Sequence, residues 1–197
     1  LYALNAQPCT FNFAPGPIDL ASDTTHGPVG VYTPGVYCVT GAASIGGGGT
    51  ITLNGAGLYL FRMDGALTTS AGSIVTLASS SACDVWWTPR QATTLGANST
   101  FAGSDVDASG ITVGDSVTWL GQALSFGGTV STTRDTITDP TCPAGRSNTP
   151  AIPPTTPKLP NTGTGAPTSG LMAWIVLTAV LTAASALAFG RMKRHSL

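Results

Sequence analysis

Residues 93–138 repeat with a period of about 18 residues, and no other feature of this chain limits its fold so tightly. TTLGANSTFAGSDVDASG can be set above ITVGDSVTWLGQALSFGG, with TVSTTRDTIT following. Thr94 then falls over Thr112, Leu95 over Val113 and Gly96 over Gly114. Thr100, Thr118 and Thr136 share one column, and Phe101, Trp119 and Ile137 share the next. Val106 falls over Leu124, Gly103 over Gly121 and Gly110 over Gly128. Within each unit, polar and apolar residues alternate as they do along a strand. Such a unit divides into three sides of about six residues, with Gly or Asn at the corners, and repeats of this kind stack on one another. The pattern predicts an all-β solenoid with one short strand per coil on each face. Phe101, Trp119 and Ile137 point into the tube, and the neighbouring threonines point out, because side chains alternate along a strand.

The preceding text, ITLNGAGLYLFRMDGALTTSAGSIVTL, reads as less regular coils of the same kind, with Leu58, Leu60 and Ile74 feeding the core. Composition agrees. Gly and Pro number 25 and 14, and only 9% of residues are charged, so helix formers are scarce. A β-sandwich also shows short strands and frequent turns, but it does not require fixed columns. Helix is expected only in a C-terminal span and over residues 1–5. The net charge is −1, with no basic block outside the last seven residues, so nucleic acid is not an expected partner. Two histidines give little material for a His-based metal or catalytic site, and no metal or cofactor is expected.

The four cysteines, Cys9, Cys38, Cys83 and Cys142, form no closely spaced pair of the kind zinc sites use. Outside the cell an even count reads as disulfides. Three pairings are possible, and four buried thiols are the alternative. Cys9–Cys38 with Cys83–Cys142 is favoured, because each bridge would staple one end of the domain to its body.

The C-terminus carries an address. Leu171 to Phe189 contains no charged residue, and its nineteen residues would span ~28 Å as a helix, close to a bilayer's hydrocarbon thickness. Arg191, Lys193 and Arg194 follow, marking the cytoplasmic side. Just upstream stand Leu159, Pro160, Asn161, Thr162 and Gly163. Pentapeptide, apolar span and basic tail together resemble the LPxTG sorting signal of sortase substrates. That resemblance implies cleavage between Thr162 and Gly163 and transfer of the Thr162 carboxyl to cell-wall peptidoglycan. The expected organisation is a solenoid domain over 1–142, a Pro/Thr-rich linker over 143–170, a transmembrane helix over 171–190 and a cytoplasmic tail over 191–197. The linker is too poor in apolar residues to fold alone. The domain is then expected at the cell surface, with sortase, peptidoglycan and the membrane as partners.

Several further stretches carry a second resemblance. They are Thr33 to Cys38, Ala66 to Thr69, Ala82 to Trp87, Ala92 to Gly103, and Ile137 to Cys142. In this order and spacing the chain resembles the microbial ice-binding, antifreeze-like domain. The resemblance implies an irregular, discontinuous β-solenoid of triangular section with a long helix along one side. Because Leu1 to Asn5 look like the last turn of that helix, the chain is expected to lack the domain's first part and to leave an apolar flank uncovered.

The resemblance also implies adsorption to ice rather than catalysis. A threonine offers a methyl and a hydroxyl together, and rigid rows of them can order surface water into an ice-like layer. Rigidity keeps the entropic cost of adsorption low. The candidate ice-binding residues are Thr94, Thr100, Thr112, Thr118 and Thr136. The family's T-A/G-X-T/N pattern is represented by Ser70-Ala71-Gly72-Ser73, Leu95-Gly96-Ala97-Asn98 and Val113-Gly114-Asp115-Ser116, each without the leading Thr. An alternative reading is a non-catalytic adhesin that binds a surface glycan or another cell, with the outward member of Trp86 and Trp87 stacking on a sugar ring. Asp105 and Asp107 alternate on a strand and have the form of a polysaccharide-cleaving acid pair, but they read more simply as a solvated edge. His26, beside Gly27 and Pro28, reads as a loop residue without special chemistry.

Overall fold

The computed structural model describes residues 2–143. The linker, the Leu159–Gly163 motif, the apolar span and the basic tail lie outside the described residues. Among the described residues no helix is long and apolar enough to cross a membrane.

The described chain winds through six coils, and its strands form three six-stranded sheets in which every pairing is parallel. Face A holds Phe11–Asn12, Gly35–Val39, Tyr59–Met63, Val85–Pro89, Ser104–Asp107 and Ala123–Ser125. Face B holds Ile18–Asp19, Ala43–Ile45, Leu67–Thr69, Thr93–Leu95, Ile111–Val113 and Val130–Ser131. Face C holds Val31–Tyr32, Thr50–Asn54, Ile74–Ala78, Thr100–Ala102, Thr118–Leu120 and Thr136–Thr138. One short helix, Tyr2–Asn5, precedes them.

The repeat is visible late and hidden early because one corner changes length. In the later coils Trp86 lies beside Ser104 and Thr100 beside Thr118, eighteen positions apart. In the earlier ones Gly35 lies beside Tyr59, twenty-four positions on, and Tyr59 beside Val85, twenty-six on. The extra residues sit between face C and face A, where a 3₁₀ turn, Ala82–Asp84, fills one such corner. Later the same corner tightens to a few residues around Gly103 and Gly121. A Cβ on Gly121 would run into the Gly103 carbonyl, so only glycine lets the two corners stack. At the last coil the register slips by one, and Thr112 pairs with Ser131 rather than with Val130.

An aromatic column runs along the inside of face A. Phe11, Tyr37, Phe61 and Trp87 are in register, and their rings stack at 4.7, 5.0 and 4.4 Å. The next position in register is Asp105, and there the column crosses to Phe101 and Trp119 of face C, each step 5.2 Å. The indole N–H of Trp87 donates to the Ala102 carbonyl at 2.9 Å, and that of Trp119 to the Gly103 carbonyl at 2.8 Å. These aromatic groups are buried without leaving their polar handles unpaired.

Four core assignments made from sequence need correction. Ile137 follows Phe101 and Trp119 in register but stays 39% exposed, because no further described coil covers it. Leu58 lies at a corner and Ile74 on the outer side of face C, and both are exposed. Leu60 is fully buried, but in a second cluster with Leu4, Val36, Cys38, Trp86 and Val106 on the outer side of face A. The apolar flank expected to lie bare is therefore largely closed over Leu60, Trp86 and Val106, with Leu4 of the short helix packed among them.

Both favoured disulfides are present, Cys9–Cys38 and Cys83–Cys142, with Cα atoms 5.8 Å apart in each. They close loops of 29 and 59 residues. Chain-entropy arithmetic gives the longer bridge about 4 kcal/mol. The paired change Cys83→Ser with Cys142→Ser is expected to lower stability by about that amount, read as the shift in a urea midpoint.

Candidate functional site

The five threonines singled out from sequence fall on two faces. Thr94 and Thr112 pair with each other on face B, while Thr100, Thr118 and Thr136 form one ladder on face C. A single flat surface holding all five does not exist. Thr94 and Thr100 are separated by the corner between faces B and C, which Gly96, Ala97 and Asn98 turn. That corner is itself a column. Gly48, Gly72, Asn98, Ser116 and Arg134 all adopt left-handed backbone angles, with φ between 56° and 71°. Asn and Gly reach this conformation most easily, so Gly48, Gly72 and Asn98 fit the corner chemistry expected from the sequence, while Ser116 and Arg134 depart from it.

Face C is the wider of the two hydroxyl-bearing surfaces. Thr50, Ile74, Thr100, Thr118 and Thr136 lie side by side in register across five coils, and all are exposed. A second column places Val31 beside Thr52 and Thr52 beside Thr76, then Ala102 beside Leu120 and Leu120 beside Thr138, with Ala102 buried. No strand of this face contains a charged residue. Neighbouring coils are spaced ~4.8 Å apart, and alternate residues along a strand ~6.7 Å, so the threonines of this face sit on a rectangular grid that Ile74, Ala102 and Leu120 interrupt. The side chains are β-branched, and their backbones are hydrogen-bonded on both sides in all but the terminal strands, so rotamer freedom is already small.

Face B carries one outward residue per coil: Ser44, Thr68, Thr94, Thr112 and Ser131, in register after Asp19. Charged pairs stand at both of its borders. Arg90 and Asp64 meet at 3.3 Å on one side, and Arg134 and Asp115 at 2.6 Å on the other. Hydrogen bonding to the Arg134 guanidinium holds the Asp115 carboxyl below the usual carboxylate range. In the segments compared with T-A/G-X-T/N, the leading Leu95 and Val113 point into the core, so they offer nothing to a surface.

Three other readings change with the structure. Trp87 is fully buried in the core and Trp86 is buried in the outer cluster, so neither presents a ring to a sugar. Asp105 and Asp107 are not a solvated edge. Both point inward and are 0% exposed, so no polymer reaches them. His26 is part of the N-terminal end of the core. Its ring lies 4.2 Å from Phe13, 5.6 Å from Phe11 and 6.0 Å from Tyr37, and its Nδ1 is 2.9 Å from Asp23 Oδ2. Burial works against the Asp23 carboxylate, but hydrogen bonds from Thr25 and His26 outweigh it and hold its pKa below the ordinary value. His26 is the contact that sequence missed, since nothing local marks a loop histidine as enclosed. Among the described residues no group of three His, Cys, Asp or Glu side chains is placed to hold a metal.

A three-sided parallel solenoid with a threonine-bearing, uncharged face defines a class of surface-binding domain. The comparisons make the assignment specific: residues 11–138 match the Ice-binding-like family, and the chain belongs to it. Among solved structures, an ice binding protein from an Antarctic Flavobacteriaceae bacterium is 28% identical, with a TM-score of 0.61 over 73% of this chain and 33% of that one. An ice-binding protein domain from Shewanella frigidimarina gives 22% identity and a TM-score of 0.60, over 72% of this chain and 59% of that one. One from the Antarctic ascomycete Antarctomyces psychrotrophicus gives 22% and 0.57, over 72% and 66%. The chain thus spans between a third and two thirds of the length of these structures. No curated protein matches it by sequence.

Proposed function

We propose that this domain adsorbs to ice through face C, without catalysis, and that its C-terminus fixes it to the cell surface. The observation that carries the first part is the unbroken outward column Thr50–Ile74–Thr100–Thr118–Thr136 on strands free of charge. Its methyl groups favour leaving liquid water and its hydroxyl groups fit an ordered water layer. Ionic groups, which bind water in their own geometry, stay at the corners. Family membership and the ice-binding neighbours support the same reading.

Ice recrystallisation by the full chain tests it, with tyrosine placed on one face at a time. Loss at Thr118→Tyr and retention at Thr94→Tyr supports face C. The reverse result moves the surface to face B, where Thr68, Thr94 and Thr112 form their own ladder. A folded chain that does not inhibit recrystallisation leaves the adhesin reading, a glycan or another cell surface being the ligand.

The anchoring proposal rests on the order of Leu159-Pro160-Asn161-Thr162-Gly163, apolar span and basic tail. Sortase joins the domain to peptidoglycan at Thr162, after the transmembrane helix has held the chain in place. In a sortase-bearing host, Thr162→Ala is expected to shift the chain from the cell-wall fraction to the membrane fraction. An unchanged distribution on fractionation contradicts sorting.

A further inference from the structure

Among the described residues, Asp105 and Asp107 are the only charged side chains buried in the solenoid. Asp105 takes the inward position after Trp87 in register, with Ala123 on its other side, and Asp107 is the next inward residue on the same strand, beside Ser125. Both are 0% exposed. Neither side-chain oxygen of Asp105 meets a donor in good hydrogen-bond geometry, nor does Oδ2 of Asp107; the buried Thr93 hydroxyl from face B faces Asp105 without forming a well-aligned bond. Only Oδ1 of Asp107 is engaged, accepting from the backbone N–H groups of Ser109 and Gly110 at 2.5 Å each. Among the described residues no basic side chain pairs with either. The adjoining strands Val85–Pro89 and Ala123–Ser125 carry no titratable side chain. Nor do Thr93–Leu95, Thr100–Ala102, Ile111–Val113 and Thr118–Leu120 on the other two faces of the same coils. Arg90, at the following corner, is 71% exposed and paired with Asp64.

Two like charges two residues apart in a dry interior cannot both persist, because each lacks solvent and repels the other. We propose that Asp105 and Asp107 retain one proton inside the folded solenoid, so that the domain is a proton-linked fold, tightest in mild acid and loosened as the pH approaches neutrality. The proton lets one carboxyl donate a hydrogen bond where the unprotonated pair would have only acceptors. Oδ1 of Asp107 already accepts from two backbone N–H groups, whereas both oxygens of Asp105 lack a well-aligned donor, so Asp105 is the carrier. Burial pushes the Asp105 carboxyl up to about 7, with the Thr93 hydroxyl pulling the other way and the Asp107 charge adding to the rise.

The sign follows from linkage. An unfolded chain releases this proton near the ordinary value of 3.8, and the folded domain releases it near 7. Between these values the folded state binds more protons, so stability falls as the pH rises from ~4 to ~7 and levels above. One retained proton corresponds to roughly a tenfold loss in the folding equilibrium constant per pH unit across that window.

The test is denaturant unfolding of the full chain from pH 4 to 9, beside Asp105→Asn. The wild type is expected to lose stability up to about pH 7, while Asp105→Asn loses that component of the slope and is the more stable chain at pH 8. A wild-type profile that is flat or rises from pH 4 to 7 overturns the proposal, as does the same slope in both chains. Calcium or EDTA that shifts the pH 8 midpoint of the wild type but not of the variant also overturns it, since a cation would then neutralise the pair. Should Asp105→Asn fail to fold, carboxyl-carbon NMR of the wild type decides. One inward aspartate titrating near pH 7 supports the proposal, and none titrating above pH 5 overturns it.

Discussion

Replacing Trp87 with alanine is expected to destabilise the domain by about 3–5 kcal/mol, the range for deleting a large buried aromatic. Trp87 is fully buried and joins the two halves of the aromatic column, stacking on Phe61 at 4.4 Å and meeting Phe101 at 5.2 Å. Its removal opens a cavity at the point where the column crosses from face A to face C, next to the buried carboxyl of Asp105. It also leaves the Ala102 carbonyl without its indole donor. Collapse into the gap is limited, because each coil is fixed by parallel strands on both sides. A single domain has about 5–15 kcal/mol of net stability, so the loss is a large part of the whole. Trp87→Phe keeps a ring in the stack and is expected to lose much less. Urea midpoints for the two variants measure the difference, and equal, small losses would show that the column does not hold the coils together.

Thr118→Tyr is the second large expectation, this time on activity. Thr118 is exposed in the face C ladder between Thr100 and Thr136, and its backbone is held by pairing on both sides. A phenol ring there stands above the neighbouring threonines and keeps them from a flat crystal surface. Recrystallisation inhibition at equal concentration is expected to fall roughly tenfold or more, equivalent to about 1.4 kcal/mol of adsorption free energy. Because the position is on the surface, folding stability should move by no more than about 0.5 kcal/mol. This separation of activity from stability distinguishes a binding face from a scaffold. Thr94→Tyr, across the corner on face B, is the matched control.

The solenoid was legible where chemistry repeats at a constant spacing. Thr100, Thr118 and Thr136 stand beside Phe101, Trp119 and Ile137 at one interval, and the strands pair in that register. The column Tyr37, Phe61 and Trp87 is as regular in space, but its intervals are twenty-four and twenty-six residues, because the corner between faces C and A has variable length. Periodicity cannot see through such a corner. Ile74 shows a second limit. Its strand alternates like the others, and only the three-dimensional register reveals that a large apolar residue occupies an outward threonine position.

The candidate surface was legible residue by residue but not as a surface. Thr94 and Thr100 look equivalent in the text, and a six-residue side sets them on different faces. Asp105 and Asp107 were misplaced for an energetic reason. Burying a carboxylate is so costly that alternating aspartates read as solvent-facing, and the register with Trp87 and Ala123 places them inside all the same. The disulfides, by contrast, followed from the argument that each bridge ties an end of the domain to its body.

The central claim is that the folded domain adsorbs to ice through face C, and partition into a slowly grown ice crystal tests it most directly. The full chain, labelled and with both disulfides intact, is frozen slowly from dilute solution beside Thr118→Tyr and Thr94→Tyr. The account predicts that the wild type and Thr94→Tyr become enriched in the ice, while Thr118→Tyr stays in the liquid. A folded wild-type chain excluded from the ice together with both variants would contradict it.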